Sequence, residues 1–193
     1  MAMTPRSRDA EHFQRIYDGD PDPWRFRTSP YEQSKYHHTL ASLHGRRFRS
    51  ALEVGCSIGV LTRMLAPHCE AVLAIDMIDQ ALQTAMAACA DQPWVRFQRR
   101  TVPAEWPEGA FDLIVLSEVL YFLNPTDIAA TADRVLDGLS PGGVVLLVNW
   151  RGQSDDPCTG EEAAELFLAR TQPALRSTLL AREEGYRLDR LEG

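Results

Sequence analysis

Two glycines, four positions apart, follow a short apolar stretch and a carboxylate in the segment Glu53-Val-Gly-Cys-Ser-Ile-Gly59. Open α/β sheets bind nucleotides at a glycine-rich turn between the first strand and a helix, because backbone without side chains approaches a ligand closely. A dinucleotide site has the spacing GxGxxG, but Ser57 stands where its middle glycine would be. The spacing therefore disfavours a pyrophosphate, and Glu53 favours a positively charged sulfonium.

A second carboxylate, Asp76, ends the next predicted strand, 21 residues after Gly55. An acidic side chain at that position can accept hydrogen bonds from both hydroxyls of a ribose. The alternative is that the glycines only make a tight turn, and it leaves Glu53 and Asp76 without an explanation. The combination predicts a site for a nucleoside-bearing ligand.

Alternating strands and helices would hold these residues at one edge of a sheet. The pattern predicts a Rossmann-like α/β fold with about seven strands, mostly parallel, helices on both faces and the last strand antiparallel. Residues 140–143, Ser-Pro-Gly-Gly, are expected to stop the third core helix, and Thr126 is a candidate N-cap for it. We predict helices over 10–17, 34–48, 59–66, 79–90, 126–139 and 161–169, strands over 50–54, 71–75, 95–98, 111–116 and 144–149, and an edge hairpin of 175–182 and 186–191.

Length and charge restrict the organisation and the partners. A chain of 193 residues fits one compact domain, in which we expect an N-terminal helical cap (1–49) and a core (50–193). The net charge of −7 disfavours a nucleic-acid partner. The local exception, Arg46-Arg47-Phe-Arg49, is interpreted as the solvated C-terminal end of a helix.

Apolar stretches and cysteines indicate the compartment. The longest apolar stretches fall far short of the roughly 20 residues that span a bilayer, and the first nine residues are polar, so we expect a cytoplasmic protein without membrane contact. The four cysteines show no CxxC pair, which fits a reducing compartment and predicts neither disulfides nor a metal site.

The core resembles the class I methyltransferases that use S-adenosylmethionine (SAM). Their pattern is E-x-G-x-x-x-G, then an acid at a strand end, then F-D-x-I/V-x-x-x-x-V-L. Glu53, Gly55 and Gly59 match its first part, Asp76 the second, and Phe111-Asp-Leu-Ile-Val-Leu-Ser-Glu-Val-Leu120 the third. The resemblance, over roughly 50–149, implies SAM as cofactor and S-adenosylhomocysteine (SAH) as product.

Further segments resemble the nodulation protein S (NodS) methyltransferases. They are Asp20-Pro-Asp-Pro-Trp-Arg-Phe-Arg27, Tyr31-Glu, Lys35-Tyr36, Thr39-Leu40, Leu52 to Thr62 and Leu113 to Leu123. The resemblance implies a small-molecule acceptor, best an amino sugar or a de-acetylated chitooligosaccharide that is N-methylated. N- or O-methylation of another small metabolite is the alternative. Oligomeric state is left open.

The resemblance implies a set of cofactor-binding residues. Class I enzymes often carry Gly-Asp after the third strand to meet adenine, but this chain has Arg99-Arg100-Thr101-Val102, so we expect Thr101 or backbone groups to hold the base. The expected set is Trp24, Arg25, Tyr36, Glu53, Gly55, Cys56, Ser57, Gly59, Asp76, Met77, Thr101, Val102 and Ser117.

Glu118 and Tyr121 are the candidate catalytic residues, because they follow the fourth predicted strand and should face the methyl group. An amine acceptor must be neutral when it attacks, so Glu118 could accept its proton or a hydrogen bond. Equally, Glu118 could brace the cofactor loop. Tyr121 could form a wall of the acceptor pocket or simply pack.

The cap offers further candidates. Trp24, Tyr31 and Tyr36 could close over the cofactor or pack on the core, and Arg25 or Arg27 could reach the methionine carboxylate or remain solvated. His37 and His38 point apart on a helix, and no ligand cluster accompanies them, so no metal is predicted. Trp150 could stack on a sugar face or pack.

Two other classes of function remain open from the sequence. A nicotinamide-dependent oxidoreductase shares the sheet, although the missing middle glycine argues against it. A non-catalytic module that binds SAM would keep the same cofactor residues.

Overall fold

The computed structural model describes residues 6–193, so the first five residues of the expected cap lie outside the described residues. The chain divides into two compact units. One is Asp9–Arg100, and the other is Thr101–Gly193 together with residues 6–8. The division of the chain into a cap and a core at residue 50 stays a prediction.

The unit Asp9–Arg100 contains both cap helices and three parallel strands. Its elements are α1 (Ala10–Gly19), α2 (Pro30–Ala41), β1 (Ala51–Val54), α3 (Val60–Leu65), a short 3₁₀ turn (Ala66–His68), β2 (Val72–Asp76), α4 (Asp79–Ala88) and β3 (Val95–Arg99). β1 lies beside β2 and β2 beside β3, and all four residues of β1 are buried, as expected for a strand covered on both faces.

The prediction for α2 was wrong at both ends. The helix begins four residues early because the Ser29 side chain caps it by accepting from the Glu32 amide, and Pro30 occupies its first turn. It ends at Ala41, after which His44 and Gly45 take left-handed conformations that turn the chain. The interpretation of Arg46, Arg47 and Arg49 as a helix end is therefore also wrong.

The unit Thr101–Gly193 contains four strands. Its elements are β4 (Phe111–Ser117), a 3₁₀ turn (Leu120–Phe122), α5 (Pro125–Gly138), β5 (Leu139–Trp150), α6 (Gly160–Thr171), β6 (Arg176–Arg182) and β7 (Tyr186–Glu192). The strand order is β4-β5-β7-β6. β4 and β5 are parallel, and β7 is antiparallel to both of its neighbours, so the expected hairpin and the antiparallel last strand are confirmed.

Helix ends in this unit follow local capping chemistry. Asn124, and not Thr126, caps α5 by accepting from the amides of Thr126 and Asp127, because Pro125 fills the first helical position. α5 ends at Gly138 as expected, but residues 140–143 form a bulge within β5, since Leu139 pairs with Phe111 and Val144 with Leu113.

The described residues thus hold seven strands, five of which run in parallel pairs, with helices between them. This confirms the expected α/β class and strand number. The four cysteines are buried and form no disulfide within residues 6–193. No helix in those residues is long and apolar enough to cross a bilayer.

Candidate active site

The glycine-rich loop after β1 is built from left-handed backbone. Gly55, Ser57 and Gly59 have φ of 75°, 50° and 78°. Glycine adopts this region freely, whereas a serine there needs support from its surroundings. The amides of Gly55 and Cys56 both donate to the carbonyl of Ile75, which fixes the start of the loop to the end of β2.

Asp76 supplies the support for Ser57. One carboxylate oxygen of Asp76 accepts from the Ser57 amide at 2.9 Å and the other from the Ile78 amide at 3.0 Å. Burial raises the pKa of Asp76, and these backbone hydrogen bonds act in the opposite direction. Each oxygen retains acceptor capacity, since a carboxylate offers about four lone-pair sites. Asp76 therefore braces the loop and can still accept from a ligand.

Glu53 is the second carboxyl of the loop and is almost completely buried. Burial raises its pKa to about 8, and the neighbouring Asp76 raises it further, while Thr62 lowers it. Neither Glu53 Oε2 nor Thr62 Oγ1 has a partner in full hydrogen-bond geometry. Glu53 is therefore largely protonated at neutral pH and is the group that a cationic ligand would ionise.

Gly59 and Cys56 are held by packing. A Cβ on Gly59 would lie 2.8 Å from the Cβ of Ala85, so the loop and α4 approach each other at a distance that only glycine permits. Cys56 packs with Ala74 and Leu82, and burial raises the pKa of its thiol well above the usual value. Cys56 therefore contributes an apolar wall.

An aromatic cluster from the cap lies in the same unit as the loop. Its members are Tyr17, Trp24, Phe26 and Tyr36. Trp24 stacks on Phe26 with ring centroids 5.5 Å apart and meets the Tyr17 ring edge-on at 5.7 Å. Tyr36 is buried at 5% exposure and tilts against Phe26, whereas Trp24 is 37% exposed.

Tyr17 connects this cluster to the loop. The Tyr17 hydroxyl is hydrogen-bonded to Ser57 Oγ. The Tyr17 ring packs in a cluster with Ile58 and Ile78, and Met77 packs against the same cluster. No motif in the sequence indicates this contact. The position of Tyr17 with Phe13 on the apolar side of α1 predicts packing alone.

The arginines of the loop before α2 are held locally. Arg25 Nη1 lies 2.8 Å from Asp20 Oδ2 and also donates to the carbonyl of Asp22. The Asp22 carboxylate accepts from the amides of Phe26 and Arg27 and so shapes the loop. Arg25 is thus an ion-paired residue, and its expected contact with a methionine carboxylate stays a prediction.

Glu118 and Tyr121, the expected catalytic pair, are in contact in the unit Thr101–Gly193. Glu118 Oε2 accepts from the Tyr121 hydroxyl and from the Trp150 amide, each at 2.9 Å. Its own amide donates to the carbonyl of Val148, and its φ is +59°. Glu118 therefore ties the residues after β4 to the end of β5 and orients the phenol of Tyr121.

The other residues of this unit that are expected to bind the cofactor are Ser117, Val102 and Thr101. Ser117 ends β4 opposite Val148, and Val102 is buried. The Thr101 amide donates to Glu105 Oε2 at 2.8 Å, so that amide is already occupied. The indole of Trp150 packs so closely over Gly152 that a Cβ there would lie 1.9 Å from the ring.

Residues 6–193 contain no group of three or more His, Cys, Asp or Glu side chains placed to hold a metal ion. His37 Nδ1 contacts the Gln33 carbonyl of its own helix at 2.7 Å on an exposed face.

Comparison with known proteins identifies the family. The model of the family Nodulation protein S (NodS) matches residues 10–168. The chain belongs to the NodS family. It is 34% identical over 124 residues to nodulation protein S of Rhizobium tropici, covering 63% of this chain and 52% of that protein. It is 32% identical over 134 residues to nodulation protein S of Bradyrhizobium diazoefficiens, covering 68% and 64%.

The NodS fold is shared as well. The N-methyltransferase NodS from Bradyrhizobium japonicum WM9, solved in complex with SAH, superimposes with a TM-score of 0.79 at 25% identity over 95% of this chain and 97% of that one. This confirms the expected class I methyltransferase fold. The alignments to these two curated NodS proteins span 52% and 64% of their lengths.

Proposed function

We propose that this NodS-family chain is a SAM-dependent methyltransferase acting on a small-molecule acceptor. One observation carries the proposal: Asp76 holds the left-handed Ser57 of a GxxxG loop, with the buried carboxyl of Glu53 two residues before that loop. These two carboxyl groups, as hydrogen-bond acceptors, suit a ligand with ribose hydroxyls and positive charge. The NodS protein of the same fold that was solved with SAH supports the assignment.

The residues fit SAM in two respects. Asp76 keeps acceptor capacity toward two ribose hydroxyls after bracing the loop. Glu53 Oε2 is a buried acceptor whose ionisation a nearby cation would favour. The proposed cofactor-binding set remains Trp24, Arg25, Tyr36, Glu53, Gly55, Cys56, Ser57, Gly59, Asp76, Met77, Thr101, Val102 and Ser117.

When bound, SAM supplies an electrophilic methyl group, so the protein has to align the acceptor and exclude water. We assign acceptor alignment to Tyr121, whose phenol is oriented by its hydrogen bond to Glu118. One carboxylate oxygen of Glu118 accepts hydrogen bonds from both the Trp150 amide and the Tyr121 hydroxyl. We therefore favour positioning over proton removal as the role of Glu118.

For the acceptor we propose an amine on a small molecule, with an amino sugar or a de-acetylated chitooligosaccharide first. The support is the family, together with the N-methyltransferase description of the solved NodS protein. Another amine or hydroxyl of a small metabolite is the competing acceptor class.

Methyl-transfer assays decide between these acceptors. Purified protein with labelled SAM is offered de-acetylated chitooligosaccharides, their N-acetylated counterparts as matched controls, simple amines and hydroxylated metabolites. Transfer to the free amine and not to the acetylated sugar is expected. Transfer only to hydroxyls, or to none of the sugar amines, would overturn the acceptor assignment and leave the cofactor assignment to its own test.

A further inference from the structure

The Tyr17 hydroxyl of α1 has a partner on the cofactor loop, although the two residues are 40 positions apart in sequence. Its oxygen lies 2.5 Å from Ser57 Oγ, and the Tyr17 side chain is 3% exposed. Ser57 in turn donates its amide to Asp76. A continuous chain of contacts therefore runs from the cap helix through Ser57 to the carboxylate proposed to hold the ribose.

The position of α1 is fixed independently of this hydrogen bond. Gln80 of α4 donates to the Tyr17 carbonyl, and Tyr17 packs in a cluster with Ile58, Ile78 and Ala81. The phenol therefore cannot leave Ser57 without disturbing buried packing. Burial first, and then the negative charge of Asp76, raise the pKa of Tyr17, so the phenol stays protonated at neutral pH.

Ser57 needs such an anchor. Its φ of +50° is uncommon for a residue with a side chain, and such a conformation persists where the surroundings hold it. Two contacts hold it here, the amide to Asp76 and the hydroxyl to Tyr17. The Asp76 contact fixes the backbone, and the Tyr17 contact fixes the side chain.

We infer that Tyr17 is a positioning residue for the cofactor, acting through Ser57 to hold the GxxxG loop and Asp76 in their binding arrangement. The inference rests on the proposed function, because it deepens the role of the same loop. Tyr17 acts on affinity for the cofactor and leaves the methyl-transfer step itself unchanged.

The test is a double-mutant cycle with Tyr17→Phe, Ser57→Ala and the double variant. Each change deletes one hydroxyl of the same hydrogen bond and keeps the backbone donor of Ser57. Affinity for SAH is measured by calorimetry, and KM for SAM and kcat with an accepted amine. Tyr186→Phe is the matched control, since Tyr186 is a buried tyrosine that packs with Val148, Ala181 and Leu188.

We expect each single variant to bind SAH about three- to tenfold more weakly, the effect of one hydrogen bond, with a raised KM for SAM. In Tyr17→Phe, kcat should stay within about twofold of the parent. The double variant should bind SAH with about the affinity of the more weakly binding single variant, because both changes remove the same hydrogen bond. Tyr186→Phe should bind SAH as the parent does. Melting temperatures are recorded so that all proteins are compared fully folded.

Two results would overturn the inference while leaving the proposed function intact. The first is that the parent binds SAH and the Tyr17→Phe variant binds it with the same affinity. The second is multiplication of the two single effects in the double variant, which would mean that Tyr17 acts independently of Ser57. A parent that does not bind SAH would instead remove the proposed function, and this inference with it.

Discussion

Asp76 has two tasks in this chain, and they can be separated by mutation. It braces Ser57 and Ile78 through their amides, and we propose that it also accepts from a ribose. The sequence indicates only the second task, since an acidic residue at a strand end after a glycine-rich loop is typical of a ribose-binding site. The bracing task depends on the left-handed Ser57, which the spacing of residues does not reveal.

Asp76→Ala should weaken SAH binding at least tenfold, because a charged acceptor of two hydroxyls contributes about 1.5–3 kcal/mol. Asp79→Ala is the matched control: its side chain is 72% exposed on α4, and we expect its affinity to equal that of the parent. Calorimetry with SAH measures both. An Asp76→Ala protein that is folded and binds like the parent would remove Asp76 from the site.

Glu118→Gln distinguishes an acceptor-side role from a brace of the cofactor site. If Glu118 serves the acceptor through Tyr121, turnover should fall while SAH affinity is spared. Steady-state kinetics and SAH calorimetry on the same preparation give both numbers. Equal losses in turnover and SAH affinity would show that Glu118 mainly supports the structure of the cofactor site.

Glu53 makes stability depend on pH in a specific direction. Its folded-state pKa of about 8 lies above its ordinary value of 4.5, so between these limits the folded protein binds a proton that the unfolded chain has released. The free energy of unfolding therefore decreases as pH rises from about 5 to 8. In Glu53→Gln this decrease should be smaller.

Urea denaturation at several pH values measures that slope. Glu184→Gln, at an exposed turn position between β6 and β7, is the control and should keep the slope of the parent. A Glu53→Gln protein with the same pH dependence as the parent would show that Glu53 is not the group responsible.

At the scale of elements, the loop between β1 and α3 depends on its contact with α4. Gly59→Ala introduces a Cβ 2.8 Å from that of Ala85 in backbone at φ +78°. Left-handed strain costs about 1–2 kcal/mol, and overpacking typically adds about 1–3 kcal/mol. Gly45→Ala supplies the strain alone, because φ is +72° and nothing lies within 4 Å of its Cβ.

We expect Gly59→Ala to lose clearly more free energy of unfolding than Gly45→Ala and to bind SAH more weakly. Chemical denaturation and calorimetry check the two effects. Equal losses of stability in the two variants would contradict the contact between the loop and α4.

Elements with strong periodicity could be predicted from the sequence, and those decided by caps or bulges could not. β4 agrees because its apolar run is long and continuous, and the final hairpin agrees because Glu183-Glu-Gly185 marks the turn between its two strands. α2 was misplaced because a serine cap and a proline outweighed the helical pattern further along. Residues 140–143 proved to be a bulge because strand pairing resumes beyond them, which only the partner β4 determines.

The candidate site divides in the same way. Glu53, the glycines and Asp76 stand out because chemistry dictates their types and spacing along the chain. Tyr17 does not, because its contact with Ser57 joins residues that are far apart in sequence. The contact of Glu118 with the Trp150 amide is of the same kind.

At the scale of the whole molecule, family and fold agree with the loop. The NodS family model covers residues 10–168, and the solved NodS protein shares the fold along nearly the whole chain. This agreement supports the cofactor more strongly than the acceptor, because the cofactor loop carries the strongest sequence pattern.

We propose that the loop around Ser57 and Asp76 binds SAM, and isothermal titration calorimetry of the purified protein with SAM, SAH and NAD is the decisive measurement. We predict saturable one-site binding of SAM and SAH and no binding of NAD at the same concentrations. Binding of NAD without binding of SAH would show that the loop does not hold SAM.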